Sequence, residues 1–389
     1  MFNVLVYNNI KAKDMLDKDK FVCGLEAEQP SPEAILVRSE KLHEKVFADS
    51  VLAIGRAGMG VDNIPVGKCT EKGIVVFNTP GANANAVKEL VLMSMIMTSR
   101  KILPAIKFIS SLPQDKDKAE IKKLIEKEKK QFAGEELAGK MLLVFGLGNI
   151  GARVASAAAA LGMKVVGYDP FKKGLYLPGV KVSCQPATLK SFLAEADFIS
   201  LHVELNDSTR GLFGPALLGQ LQNQPVLLNF SRGEIVNEEA VCQALLSNKI
   251  ANYVTDFHSP ALARLSNAII LPHLGASTAE AEKVCAEMVC AQIADFLEDG
   301  TIINSVNFPD CDLPRRNSGA RLIVINQNVP NVLAKMNDII GQASINIEDQ
   351  LNRSQGALAY NIIELNQPVA PTIMAQIQQV SGIIRVRQI

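Results

Sequence analysis

Ten short apolar runs decide what this chain can fold into. They fall at residues 4–7, 34–37, 51–54 and 74–77, and again at 141–145, 164–168, 198–201, 226–229, 253–255 and 268–271. Each is apolar along most or all of its length instead of alternating, as strands covered on both faces are. Segments with helical spacing lie between them, such as 152–161 and 238–246. Strand, helix, strand in series builds a parallel sheet with right-handed crossovers. The fold class is therefore α/β, with two doubly wound parallel-sheet domains of Rossmann or flavodoxin type.

The two series are separated by residues 99–140, a Lys- and Glu-rich stretch that reads as exposed helix. Past Asn304 the composition changes. Residues 305–319 hold Pro309, Pro314, Asn317 and Gly319 and read as a linker. From Arg321 a new pattern runs strand (322–325), helix (332–340), strand (345–350), strand (357–365), helix (372–380), strand (383–389). This βαββαβ order predicts a small ferredoxin-like domain. The expected domains are 1–98 with 280–304 for substrate, 99–279 for a dinucleotide, and 320–389 as the tail.

Lys plus Arg and Asp plus Glu number 40 each, which gives no basic surplus for a nucleic-acid or membrane partner. Seven scattered cysteines without a C-x-x-C pair read as reduced thiols of a cytoplasmic protein, with no metal site. The first residues read as a strand and not as a signal peptide. His43 lies in a polar stretch read as helical and exposed.

The segment Phe145-Gly146-Leu147-Gly148-Asn149-Ile150-Gly151 carries G-x-G-x-x-G between a strand and a helix, the context that gives this motif meaning. Gly146 makes the turn, Gly148 lets backbone approach a pyrophosphate, and Gly151 lets helix pack on strand. The helix N-terminus then meets the phosphate charge. Asp169 follows about 20 residues on, at the next strand's end, where a carboxylate suits a ribose 2′-OH and repels a 2′-phosphate. NAD is expected over NADP.

Hydride transfer on a hydroxy acid needs an anchor for the carboxylate and a group to take the hydroxyl proton. Arginine serves the first through its planar fork, and histidine the second near neutral pH. Asn229-Phe230-Ser231-Arg232-Gly233 puts Arg232 just past a buried strand. Leu271-Pro272-His273-Leu274-Gly275-Ala276-Ser277 puts His273 past another. Strand ends are where sheets of this class bind ligands.

These segments resemble the D-isomer-specific 2-hydroxyacid dehydrogenases, which also carry an α/β domain ahead of the nucleotide fold. The resemblance makes Arg232 and His273 catalytic. It lines the cofactor with Gly146, Gly148, Asn149, Ile150, Gly151, Asp169, His202, Val203, Phe230, Ser231, Asp256, Gly275 and Ala276. Family members pair the histidine with a glutamate just before a proline. Here Thr255-Asp256-Phe257-His258-Ser259-Pro260 has Ser259 in that place. Either another carboxylate serves His273 or the histidine works unpaired.

Val37-Arg38-Ser39 and Gly55-Arg56-Ala57-Gly58-Met59-Gly60 add two arginines near strand ends beside a glycine-rich turn, which suits a second anionic group on the substrate. With Asn83 downstream they resemble the branch of the family that oxidises 3-phospho-D-glycerate to 3-phosphohydroxypyruvate, at the head of serine synthesis. Arg38, Ser39, Arg56, Gly58 and Asn83 are its substrate residues by that resemblance. Lys88 stands where the family more often has a small residue. The tail resembles an ACT domain, a small-ligand sensor that pairs in family members and there binds serine. Asn328 and Asn346 match two serine-binding asparagines, and Asn326 stands where a histidine would. The resemblance implies a homodimer or homotetramer with L-serine as effector. Oxidation of another D-2-hydroxy acid (glycerate, glyoxylate or erythronate phosphate) and a non-catalytic NAD-sensing protein are the alternatives.

Overall fold

The computed structural model describes every residue except Asn9, Ala27, Pro30, Gln114, Lys116 and residues 316–318. Asn317, cited above for the linker, lies outside the described residues. The chain divides into two compact units, residues 1–83 with 282–389, and residues 84–281.

The first unit opens with five strands: β1 (Phe2–Val6), β2 (Phe21–Gly24), β3 (Ala34–Val37), β4 (Ala53–Arg56) and β5 (Val75–Phe77), with helix α1 (Val66–Glu71) before the last. They form one parallel sheet in the order β2-β1-β3-β4-β5. That is the flavodoxin-like order. Strand β2 is absent from the runs above: Phe21–Gly24 is a short edge strand of four residues with Val22 exposed. The third strand lies two residues later than residues 51–54. Ala53 pairs with Ala34 and Arg56 with Val37. Arg56 therefore ends the strand instead of following it. His43 sits in an exposed turn, not a helix.

The second unit begins with α2 (Ala84–Ser99), α3 (Ile102–Ser110) and α4 (Lys118–Glu128). It continues as β6 (Met141–Phe145), α5 (Asn149–Ala160), β7 (Lys164–Tyr168), β8 (Val180–Ser183), α6 (Pro186–Glu195), β9 (Phe198–Leu201), α7 (Pro215–Leu218), β10 (Val226–Asn229), α8 (Glu238–Leu246), β11 (Asn252–Thr255) and β12 (Ala268–Ile270). The sheet is parallel throughout in the order β12-β11-β10-β9-β6-β7-β8. Counted from β6, this is the Rossmann order with one strand added. Here too the unforeseen strand, β8, is an edge strand.

Helix α2 was expected with the substrate domain. It packs instead in the second unit, where Val87, Val91 and Met95 share a core with Val154, Ala155 and Ala158 of α5. Helix α4 fits a solvated helix, with no buried residue and Asp117 capping Ala119 N at 2.8 Å and Glu120 N at 2.9 Å. Helix α3 differs: Ile102, Ile106 and Ile109 are exposed along one side of it.

Helix α9 (Ala279–Asp299) leads back into the first unit, and the tail follows as β13 (Ala320–Gln327), α10 (Val332–Gln342), β14 (Ile347–Gln355), β15 (Leu358–Leu365), α11 (Pro371–Gln378) and β16 (Ile383–Gln388). The antiparallel order β14-β15-β13-β16 is that of a ferredoxin-like fold. One face carries α10 and α11 over Leu322, Val324, Ile363 and Leu365. The other face adds Ile323, Ile325, Tyr360 and Ile362 to the core built by the first sheet and α9. The connecting segment is likewise packed: Phe308 and Cys311 are buried, and Asn307 bonds Val76 N and Ile74 O at 2.9 Å each.

The seam is polar at one point. Arg321 donates from Nε to Glu364 at 2.6 Å, and to the carbonyls of Asp299 and Leu313 at 2.7 Å each. Both side chains of the pair are 1% exposed. Two charges taken out of water are held by each other and by backbone oxygens, so removing one alone strands the other. Arg321→Met should cost about 3–5 kcal/mol in urea unfolding, while Arg321→Met with Glu364→Met should recover much of that. An equal loss in both would mean that the uncompensated charge is not the cause.

Candidate active and cofactor site

The glycine-rich turn sits at the switch point of the second sheet, where the strand order reverses between β6 and β9. Gly146 has φ +85°, a conformation that L side chains rarely adopt. A Cβ on Gly151 would stand 1.9 Å from the Gly146 carbonyl, and one on Gly146 would stand 2.5 Å from the His202 carbonyl. Only hydrogen fits at either place. A Cβ on Gly148, by contrast, would meet nothing within 4 Å. The open side of the turn is thus at Gly148, the N-cap of α5, with the free N–H groups of Asn149 and Ile150 behind it. A diphosphate fits this cradle.

Asp169 is buried at the end of β7. Its carboxylate accepts from Leu147 N at 2.9 Å and from Phe171 N at 3.0 Å. The carboxylate therefore fixes the glycine-rich turn. It has further lone pairs for a ribose hydroxyl.

His202 and Val203 follow β9. His202 N donates to Phe145 O at 2.7 Å, locking the end of β9 to the end of β6. The imidazole Nε2 shares a hydrogen bond of 2.8 Å with Ser200 Oγ, and Nδ1 is buried without a partner. Burial pushes its pKa down to about 3. This histidine is neutral at pH 7 and is no proton shuttle.

Around Arg232 the β10 end is tied down by Asn229. Asn229 Nδ2 donates to Arg232 O at 2.8 Å and to Tyr253 Oη at 3.2 Å, and its Oδ1 accepts from Ser231 N at 3.2 Å. Ser231 Oγ donates to Leu201 O at 3.0 Å, and Phe230 is buried against α2 residues in the core. Sequence reading passed over Asn229 as a positioning residue, although it heads the N-x-S-R segment.

His273 has φ +50°, a left-handed conformation uncommon outside glycine that histidine, asparagine and aspartate adopt more often than other side chains. Two hydrogen bonds from its segment hold that backbone: His273 N to Asp256 O at 3.1 Å, and Gly275 N to Asp256 Oδ2 at 2.9 Å. Ala276 follows directly. The His273 ring meets the Phe257 ring edge to face, centroids 5.3 Å apart. Among the described residues no carboxylate bonds to the imidazole. Ser259 does other work: it is buried and its Oγ accepts from Leu262 N at 3.3 Å, capping a short helical turn. Asp256 Oδ1 is buried and unpartnered, a free acceptor in a cleft of about 740 Å³ lined also by His273, Phe257, His258, Arg210 and Glu234. Arg210, His258 and Glu234 come from different loops, so no local pattern could have grouped them.

In the first unit Arg38 and Ser39 leave β3, and Asn8 gathers that turn by accepting from the backbone N–H of Arg38, Ser39 and Glu40 at 2.9–3.2 Å. Arg56 donates from Nε to Arg38 O at 3.0 Å and from Nη1 to Gly60 O, across the Gly58 turn. Arg38 also pairs with Glu282 at 2.7 Å, both half-exposed, a contact worth little in water. Asn83 Oδ1 is buried without a partner.

In the tail, Asn328 and Asn346 are exposed. Asn326 is not: it is buried, accepts from Asn361 Nδ2 at 2.7 Å and donates to Gln327 O at 2.7 Å. Its amide is spent inside the sheet, which removes it from the expected effector set. Among the described residues no cluster could hold a metal ion, and no helix is long and apolar enough to cross a membrane.

His202 gives a pH signature. Its folded pKa lies below the ordinary value near 6.5, so the unfolded chain binds the extra proton. This contribution to stability is complete above about 6.5 and is lost progressively as pH falls toward about 3. His202→Gln should flatten that part of the stability–pH curve in denaturant titrations. An unchanged slope would place the acid sensitivity elsewhere.

Residues 92–275 match the D-isomer specific 2-hydroxyacid dehydrogenase NAD binding domain. A D-3-phosphoglycerate dehydrogenase of Haemophilus influenzae is 30% identical over 352 residues, 87% of this chain and 82% of the relative. A hydroxypyruvate reductase of Thermotoga maritima is 38% identical over 65% of this chain and 81% of its own. The NAD+-bound 3-phosphoglycerate dehydrogenase structure of Entamoeba histolytica superimposes with TM-score 0.63 at 27% identity, covering 79% of this chain and 98% of its own. With a glycine cradle open at Gly148, an acid at the ribose position, and these matches, the chain belongs to the D-isomer specific 2-hydroxyacid dehydrogenases and is an NAD-dependent oxidoreductase.

Proposed function

We propose that this enzyme oxidises 3-phospho-D-glycerate to 3-phosphohydroxypyruvate, the entry to serine synthesis. The observation that carries the reading is the paired arginine turn of the first unit. Arg38 and Arg56 leave adjacent strands, and Arg56 is fixed by the Arg38 carbonyl beside Gly58. Two guanidinium groups beside a glycine-rich turn suit a phosphate dianion. Relatives named D-3-phosphoglycerate dehydrogenase that match over most of the chain support it.

In this reading Arg232 holds the substrate carboxylate, and Arg38, Ser39, Arg56, Gly58 and Asn83 hold the phosphate end. His273 takes the hydroxyl proton as the carbonyl forms, oriented by the Asp256 backbone and the Phe257 ring. Bound NAD+ supplies the hydride acceptor. Gly146, Gly148, Asn149, Ile150 and Gly151 would hold its diphosphate and Asp169 its ribose. His202, Val203, Phe230, Ser231, Gly275 and Ala276 would wall the site, with the unpartnered Asp256 Oδ1 as an acceptor near the nicotinamide. Domain roles follow: substrate in the first sheet, cofactor in the second, and an ACT-type tail whose exposed Asn328 and Asn346 suit an amino-acid effector such as L-serine.

NADH formation with 3-phosphoglycerate and with D-glycerate tests the assignment. Wild type should turn over the phosphorylated acid, and Arg56→Ala should lower kcat/KM on it by about 10- to 100-fold, the scale of a lost charge-assisted pair. Activity on D-glycerate alone would move the enzyme to the branch of the hydroxypyruvate reductase relative. No turnover on either acid would favour an NAD-sensing protein.

The exposed Ile102, Ile106 and Ile109 of α3 support self-association, as a homodimer or homotetramer. Ile106→Asp with Ile109→Asp should lower the oligomeric mass in sedimentation, and an unchanged mass would remove α3 from the interface.

A further inference from the structure

Lys88 has no role in the reading above, and no motif covers it. It lies on α2, one residue past Val87, which packs against α5. Its side chain is only 21% exposed, low for a lysine. Nζ donates to Asn85 Oδ1 at 2.6 Å, and Asn85 Nδ2 in turn donates to Glu89 at 2.8 Å. Asn85 thus spaces the ammonium 3.7 Å from the Glu89 carboxylate, which is itself largely exposed and weak as a partner. Lys88 lines a cleft of about 730 Å³ together with Gly148, Asn149, Arg153 and Lys172. Three cations border that cleft, and among the described residues no carboxylate lines it.

The cleft begins at Gly148, where the glycine-rich turn is open. The α5 N–H groups supply one side of an anion site there, as partial charges without a full cation. An ammonium carried by a second helix adds a full charge to the cleft that Arg153 and Lys172 also border. Hydrogen bonds between charged groups are stronger than neutral ones, and a lysine with its stem already packed loses less freedom on binding.

We propose that Lys88 binds the diphosphate of the dinucleotide, so that the anion is gripped from both α2 and α5. The proposal rests on dinucleotide binding alone, and the substrate assignment can fail without touching it.

The test is fluorescence titration of the full-length protein with NADH, with competition by ADP-ribose and by adenosine. Wild-type binding of NADH secures the cofactor reading first. Lys88→Met should then weaken NADH and ADP-ribose roughly tenfold and leave adenosine unchanged, because adenosine carries no phosphate. Lys88→Arg should keep most of the affinity. The fall of NADH affinity with added salt should be shallower in Lys88→Met than in wild type. Unchanged NADH affinity in Lys88→Met would overturn the proposal. So would an equal loss for adenosine, or an equal loss in Lys88→Arg, since either marks a packing role for the side chain.

Discussion

Everything chemical in this protein depends on one constraint: its two parallel sheets are covered on both faces. Strands such as Met141–Phe145, Phe198–Leu201 and Val226–Asn229 are buried along their whole length. A side chain inside such a sheet has nowhere to meet a ligand. Chemistry is displaced to the carboxyl ends of strands, where backbone N–H groups run free and loops can carry charge. Gly146, His202, Arg232, Asp256 and His273 all stand within a few residues of such an end. Hydrogen bonds between neighbouring ends, His202 to Phe145 and Thr255 Oγ1 to Asn229 O, hold that row in register.

The site is fixed by backbone more than by side-chain pairs. Asp169 braces the glycine-rich turn, Asn229 braces the Arg232 loop, and Asp256 braces the His273 loop. Each is a short polar side chain at a strand end that satisfies a loop N–H or C=O. Two of the buried polar atoms without a partner, His202 Nδ1 and Asp256 Oδ1, lie along the same row. Burial holds His202 neutral.

The tail is part of the first unit and not an appendage. Beyond the shared apolar face, the last turns of α9 are gripped by tail side chains. Arg321 donates to Asp299 O, Arg387 to Phe296 O at 2.6 Å and Leu297 O at 3.2 Å, and Tyr360 to Gly300 O at 2.6 Å. Cations at a helix C-terminus meet its unpaired carbonyls and the negative end of its dipole. Arg387 also lies over the Phe296 ring at 4.8 Å.

The sequence by itself determined the two parallel sheets, the βαββαβ tail and the identity of the strand-end residues, because each is written in local periodicity or a contiguous motif. Runs buried on both faces cannot be mistaken for amphipathic strands, and G-x-G-x-x-G between strand and helix has few other meanings. The edge strands Phe21–Gly24 and Val180–Ser183 were not among those runs: each is only four residues long and partly exposed, and Lys181 interrupts the second. Only the tertiary structure decided that α2 packs with α5, that Ser259 caps a turn, and that Asn326 is consumed by Asn361. It alone brought Lys88 to the glycine-rich cleft and Arg321 to Glu364, 43 residues away. Such pairs join elements distant along the chain, and their partners are set by packing that no local pattern records.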